Sequence, residues 1–280
     1  MTHIAYLGTG LLGGALAEAA AKRGDQVTAW NRSAAKARAL EPFGVTVAAT
    51  PAEAVRGAER VHLVLTDDAV VDDVIAQLRP GLGREAILVD HSTTLPGRTA
   101  ERARRLADAG VRYLHCPVFI GPAAARAGQG TILVAGPAAL FERVKPALEA
   151  MANKVLYAGE RPDLAAVYKL CGNAYFIGMT ALLADVQAVA AGAGVSADEA
   201  MRVVESFDAT AIVGRGRAMI AGVPSPTFEL EMARKDVRLM IETAGNEPLA
   251  VLPGTAARMD VLIGEGLGRA DATVLGRRGK

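Results

Sequence analysis

A glycine turn set between a strand and a helix, close to the N-terminus, constrains this chain more than any other feature. Ile4-Ala5-Tyr6-Leu7 is a short apolar run of strand type, Gly8-Thr9-Gly10-Leu11-Leu12-Gly13 follows at once, and an alanine-rich stretch of helical period continues to Arg23. Each glycine answers a different steric need. Gly8 permits the tight turn out of the strand, Gly10 carries no Cβ to block an approaching group, and Gly13 lets the helix lie close to the strand. Unpaired N–H groups at the start of such a helix, together with its dipole, favour phosphate. The motif therefore predicts a dinucleotide pyrophosphate held by residues 8–13, with Thr9, Leu11 and Leu12 among its contacts. A turn kept only for chain reversal is the plainer alternative.

The pattern of the chain beyond the turn weighs against that alternative. Apolar runs at 4–7, 26–30, 61–65, 87–90, 113–115, 132–135 and 155–157 alternate with helical segments at 11–23, 34–40, 70–78, 98–109 and 138–151. This alternation implies right-handed βαβ units and a doubly wound, mostly parallel sheet covered on both faces. After Tyr157 the strand signals stop. Apolar periodicity runs from Pro162-Asp163 to about Ala191, a helix of about 28 residues and roughly 42 Å. Further helices are expected at 197–206, 211–218, 230–244 and 249–265. The expected architecture is α/β: a Rossmann-type dinucleotide-binding domain over 1–160, then an all-helical substrate and dimerisation domain over 161–280, built on the long interdomain helix.

Composition narrows the partners. Net charge is +1 with 51% hydrophobic and 22% charged residues, which fits a soluble globular chain and gives no global case for nucleic acid or an anionic membrane. The basic end at Arg277, Arg278 and Lys280 reads as a solvated terminus. Two cysteines, Cys116 and Cys171, do not make a secreted disulfide framework, and no metal-ligand set is assigned. The stretch 174–194 is the most membrane-like, but it contains Asp185 and Gln187, so a buried interdomain helix is expected there. A cytoplasmic location is expected.

The second strand ends in Trp30 and is followed by Asn31-Arg32-Ser33. A carboxylate at this place would accept from a ribose 2′-hydroxyl and repel a 2′-phosphate. Asn31 is neutral, Arg32 can pair with phosphate, and Ser33 adds a hydroxyl, so NADP(H) is the expected cofactor. Ser33 would also suit a helix N-cap. Leu65 and Thr66, where the run 61–65 ends, are counted with the cofactor residues.

Reduction of a carbonyl needs a proton donor beside the developing alkoxide. Lys169 and Asn173 lie four apart on the long helix and share a face, which Thr180 continues. The bland reading puts Lys169 near the helix start with its ammonium in water. Cys171 reads as a small buried hydrophobe.

Taken together, these motifs resemble the β-hydroxyacid dehydrogenases, among them 3-hydroxyisobutyrate dehydrogenases and glyoxylate reductases. The resemblance rests on residues 8–13, Asn31-Arg32-Ser33, Asp90-His91-Ser92-Thr93, Cys116-Pro117-Val118, Lys169-Leu170-Cys171-Gly172-Asn173, Lys235-Asp236-Val237-Arg238 and the segment 268–273. It implies a helical half like that of 6-phosphogluconate dehydrogenase, and a homodimer or higher homo-oligomer. It also implies that Lys169 is general acid and base, that Asn173 contacts substrate or places the lysine, and that Thr93 and Lys235 lie by the nicotinamide. Pro117, Val118, Phe119, Ile120 and Gly121 take the place of the substrate loop.

There the sequence departs from the family, which continues Pro-Val with Ser-Gly-Gly. Phe119 and Ile120 remove a hydroxyl donor and add apolar bulk where a small acid would dock; Gly121 alone stays in register. A small-molecule carbonyl or hydroxyacid substrate is expected, of more apolar kind than glyoxylate. Two other readings compete. One is imine reduction, although related imine reductases usually carry Asp or Tyr at the lysine position. The other is an NADP(H)-binding sensor or scaffold without turnover.

Overall fold

A computed structural model describes residues 2–223 and 225–277, apart from the side chain of Ala209. Met1, Pro224, Arg278 and Lys280 lie outside the described residues, so of the basic end only Arg277 is described. The chain divides into two compact units, Met1–Gly172 and Asn173–Lys280.

The first unit begins β1 (His3–Leu7), α1 (Leu11–Lys22), β2 (Gln26–Trp30), α2 (Ala34–Arg38), β3 (Thr46–Val47), α3 (Pro51–Ala54), β4 (Arg60–Leu63) and α4 (Asp68–Leu78). It continues with β5 (Ile87–Asp90), α5 (Pro96–Asp108), β6 (Arg112–His115), β7 (Val118–Phe119), α6 (Pro122–Arg126), β8 (Thr131–Ala135), α7 (Ala138–Glu149) and β9 (Lys154–Gly159). The strands form one sheet in the order β3-β2-β1-β4-β5-β6-β8-β7, with β9 on β8. Neighbours from β3 to β6 are parallel; β8 runs antiparallel to β6 and β7 and parallel to β9. The chain passes to one side of β1 and then returns to the other, so the order reverses between β1 and β4. In open α/β sheets ligands bind at such a reversal, beyond the carboxyl ends of the strands.

Alternation along each strand supplies two cores. Ile4 and Tyr6 of β1 join Ala15 and Leu16 of α1 and Val144 and Leu148 of α7 on one face. Ala5 and Leu7 join Val71, Val74 and Leu78 of α4 and Leu106 of α5 on the other. Glu18 on α1 is buried and meets Arg126 of α6 at 2.7 Å, tying these two helices together.

The long helix α8 (Leu164–Gly192) has 29 residues and starts in the first unit. Only 11% of its most apolar 18-residue window is buried, so the expectation of a buried helix is corrected: much of its apolar surface faces outwards in the single chain. By length and composition alone it could cross a membrane. The second unit continues with α9 (Ala197–Glu205), α10 (Ala209–Ala221), α11 (Leu230–Ala244) and α12 (Leu252–Leu262) around a core that includes Leu230, Val237, Met259 and Leu262. Asp185 of α8 is fully buried and accepts the N–H groups of Ala250, Val251 and Leu252 at 2.6, 2.8 and 2.8 Å. Those donors are the orphan amides at the start of α12, which explains why this helix begins at Leu252 and not at residue 249.

Candidate active site

The glycine turn leaves β1 at the reversal point. Gly8 has φ +95°, and a Cβ there would strike the carbonyl oxygen of Val64. A Cβ on Gly13 would strike the carbonyl of Gly8 and crowd the Val64 side chain at 3.1 Å. A Cβ on Gly10, by contrast, would meet nothing within 4 Å. Two glycines are thus demanded by the protein's own packing, and the third keeps space open. Gly10 also stands at the N-cap of α1 with no side-chain cap and no acidic residue in the first turn, so the first amides and the dipole face that space. Leu11 beside it is 85% exposed, and the buried hydroxyl of Thr9 has no hydrogen-bond partner. An open approach, uncapped amides and an orphan hydroxyl together fit a bound pyrophosphate.

Asn31 does not stand as a free group at the end of β2. Its Oδ1 accepts the N–H of Thr9 at 3.0 Å and its Nδ2 donates to the Ser33 carbonyl at 3.0 Å. Ser33 takes the N-cap position of α2, but its hydroxyl makes no cap bond. The expectation that it caps the helix is met in position only, and the hydroxyl stays available. A cleft of about 310 Å³ here is lined by Gly10, Arg32, Ser33, Lys36, Thr66 and others. Lys36 was not singled out in the sequence, although it lies four residues beyond Arg32 and adds a second cation.

A second cleft of about 380 Å³ shares Gly10, Leu65 and Thr66 with the first and continues past Leu11, Leu12, Gly13, His91, Ser92 and Thr93 to Val118, Ile120 and Lys169. The strand expected to reach residue 65 ends at Leu63, so Leu65 and Thr66 belong to the loop beyond it. That loop is fixed from the next strand, because Leu65 donates its N–H to Ser92 Oγ at 3.1 Å. Ser92 and His91 belong to the motif 90–93 on which the resemblance rests, although only Thr93 is expected among the cofactor residues. Behind them lies a buried polar ladder. His91 Nδ1 lies 2.8 Å from the Cys116 carbonyl, His91 Nε2 lies 2.8 Å from His62 Nδ1, and the two rings stack with centroids 5.1 Å apart. Burial pushes the pKa of both histidines down, so they are neutral in ordinary buffers.

Lys169 lies on the first turns of α8, half-buried, and desolvation lowers its pKa from the usual lysine range. Its Nζ sits 4.0 Å from the centroid of the Phe119 ring. Phe119 ends β7 in register with Thr131 and packs on Gly172 of α8. Val118 and Ile120 line the cleft; Pro117, Phe119 and Gly121 are not among its lining residues. Pro117 is buried and accepts the N–H of Leu133, and Gly121 is the N-cap of α6.

The remaining expected residues fall in the second unit. Asn173 is one turn beyond Lys169 on α8, and Lys235 is on α11 with its ammonium 2.8 Å from Asp236. Thr180 spends its hydroxyl on the Phe176 carbonyl of its own helix at 2.8 Å. Cys171 is exposed, contrary to the expected burial, because it falls on the outward side of α8. Among the described residues no group of three or more His, Cys, Asp or Glu could hold a metal ion.

Residues 3–159 match the family model for the NAD-binding domain of 6-phosphogluconate dehydrogenase. The chain belongs to that family. The chain is 28% identical over 268 residues to the 3-sulfolactaldehyde reductase of Escherichia coli K12, an alignment covering 92% of this chain and 88% of the reductase. It is 32% identical over 176 residues to the 3-hydroxyisobutyrate dehydrogenase of Pseudomonas aeruginosa, covering 62% and 59%. An imine reductase from a Pseudomonas species has the same fold, with TM-score 0.88 over 98% of each chain at 21% identity. The chain is an oxidoreductase with a nicotinamide-dinucleotide-binding domain, and relatives it resembles are named as reductases and dehydrogenases.

Proposed function

We propose that this oxidoreductase uses NADP(H) to interconvert a small carbonyl compound and its alcohol, with Lys169 as general acid in reduction and general base in oxidation. One observation carries the reading: Lys169 and the glycine turn border the same cleft. When bound, the dinucleotide supplies or takes up the hydride at nicotinamide C4. The chain's own residues do the rest. The amides at the start of α1 bind the pyrophosphate, and Arg32, Ser33 and Lys36 surround the place of the 2′-phosphate. Partial burial brings Lys169 closer to a range in which it can both give and accept a proton. By the family resemblance, Asn173 orients the substrate or the lysine, and Lys235 serves the cofactor.

Ile120 in the cleft, and Phe119 in place of a serine, favour an apolar aldehyde, ketone or semialdehyde over glyoxylate. The test is NADPH consumption over a panel of such carbonyls with wild type and Lys169→Ala. The variant is expected to bind NADPH and lose most turnover; retained turnover overturns the assignment. Imine reduction is the second reading, favoured by the shared fold and the apolar Ile120. Cyclic imines and matched ketones offered to one preparation decide between them.

A homodimer is part of this proposal. Phe176, Ile177, Phe207, Val213 and Ile220 on α8, α10 and the turn before α10 are each more than half exposed. Apolar surface of this extent suits a second copy of the chain. Light scattering of the detergent-free protein at the mass of one chain counts against it.

A further inference from the structure

We propose that Phe119 is a positioning residue for Lys169: its ring face carries the lysine ammonium, and Gly172 is the seat that lets the ring lie there. This rests on the reading of Lys169 as proton donor.

Three observations converge. The ammonium is 4.0 Å from the ring centroid, within the range where a ring quadrupole attracts a cation. The ring in turn lies against α8 at Gly172, where a Cβ would collide with Phe119 Cζ and come to 2.8 Å from Cε1. Gly172 follows Lys169 by three residues, so both present the same side of the helix to Phe119. The backbone direction of Phe119 is set by its pairing with Thr131 in β8. The neighbouring Ile120 has its own accommodation. Gly130, at φ +114°, leaves room where a Cβ would be 2.7 Å from Ile120 Cγ1. The two bulky residues that depart from the family pattern are thus each matched by a glycine, Gly172 on α8 and Gly130 just before β8.

The chemistry arises from opposing effects on one group. Burial disfavours the charged lysine; the ring face favours it and fixes where the charge sits. The only other titratable group among the described residues lining this cleft is His91, which burial keeps neutral, so no carboxylate there takes over the ring's part. Phe119 therefore keeps Lys169 charged and aimed, ready to protonate a neutral carbonyl oxygen.

The experiment uses Phe119→Leu, which keeps apolar bulk and removes the π-face, Phe119→Tyr, which keeps the face, and Gly172→Ala, which displaces the ring. First, the cofactor-free protein is reductively methylated with a carbon-13 label. The Lys169 methyl signal, assigned by its loss in Lys169→Ala, is expected upfield under the ring current. It should return to the ordinary position in Phe119→Leu and Gly172→Ala and stay upfield in Phe119→Tyr. Second, the alkaline limb of kcat/KM for reduction should move to lower pH in Phe119→Leu and Gly172→Ala. Activity on that limb should fall about tenfold, while NADPH affinity is unchanged. Losing both effects in Phe119→Tyr, or seeing neither in Phe119→Leu, overturns the proposal. If Lys169→Ala keeps full turnover while the methyl signal still depends on Phe119, the fault lies with the reading of Lys169 and not with the contact.

Discussion

Asn31 Oδ1 accepts the N–H of Thr9 at 3.0 Å, so the residue that ends β2 holds the glycine turn in place. It braces the turn and, being neutral, adds no charge of its own beside Arg32 and Ser33. Asn31→Asp retains the acceptor, loses the bond to the Ser33 carbonyl and introduces that charge. NADPH affinity is expected to fall about tenfold or more, with NADH affected far less, in fluorescence titrations of both cofactors. An equal loss for the two would assign Asn31 to bracing alone.

Arg32, just before α2, and Lys36 on α2 border the same cleft, which Asp73 of α4 also lines. Arg32→Ala should weaken NADPH binding about tenfold, and Lys36→Ala somewhat less, with NADH unchanged. Raising salt should narrow the difference between wild type and variants, because the contact is charge to charge. Unchanged NADPH affinity in both variants would place the 2′-phosphate elsewhere.

The glycines of the turn separate by kind. Gly13→Ala forces a methyl into the Gly8 carbonyl and should cost roughly 2–4 kcal/mol of stability, read as a lower denaturation midpoint. Gly10→Ala meets no protein atom and should leave that midpoint within about 0.5 kcal/mol while abolishing most cofactor binding. If Gly10→Ala binds NADPH normally, the pyrophosphate does not sit at this turn.

Asp271 accepts from the N–H groups of Thr227 and Thr273 and from the Thr227 hydroxyl at 2.9, 3.0 and 2.9 Å, which holds its carboxyl well below the usual range. A folded pKa depressed below the unfolded value adds stability above the unfolded pKa, and that contribution is lost as pH falls towards the folded one. Asp271→Asn should therefore lower stability near neutrality by about 2 kcal/mol and flatten its decline on acidification below about pH 4. Urea midpoints taken across that range read both effects, and parallel curves for wild type and variant would contradict the assignment.

Much of this molecule is legible from its residues because it obeys strong local rules. The glycine turn, seven of the strands and the sheet class come from apolar runs and spacing that no tertiary contact has to correct. The two strands that escape notice, β3 and β7, have two residues each and exist only through pairing with longer neighbours. Lys36 lacked any motif, and its relation to Arg32 appears only once the turn into α2 is formed. Burial of α8 was misjudged because its apolar run says that something covers it, not whether the cover comes from the same chain. Phe119 could be recognised as a departure, but its attachment to Gly172 depends on two elements 53 positions apart in sequence.

The histidines beneath the cleft also restrict the path of protons. A carbonyl can only accept, so the Cys116 oxygen requires the hydrogen of neutral His91 to be on Nδ1. Nε2 of His91 is then an acceptor, and His62 must supply the hydrogen between them from its Nδ1. The ladder has a fixed polarity. A proton passed upward from His62 would stop at His91, whose other nitrogen faces a carbonyl that cannot carry it on. This ladder therefore offers a proton no route onward beyond His91.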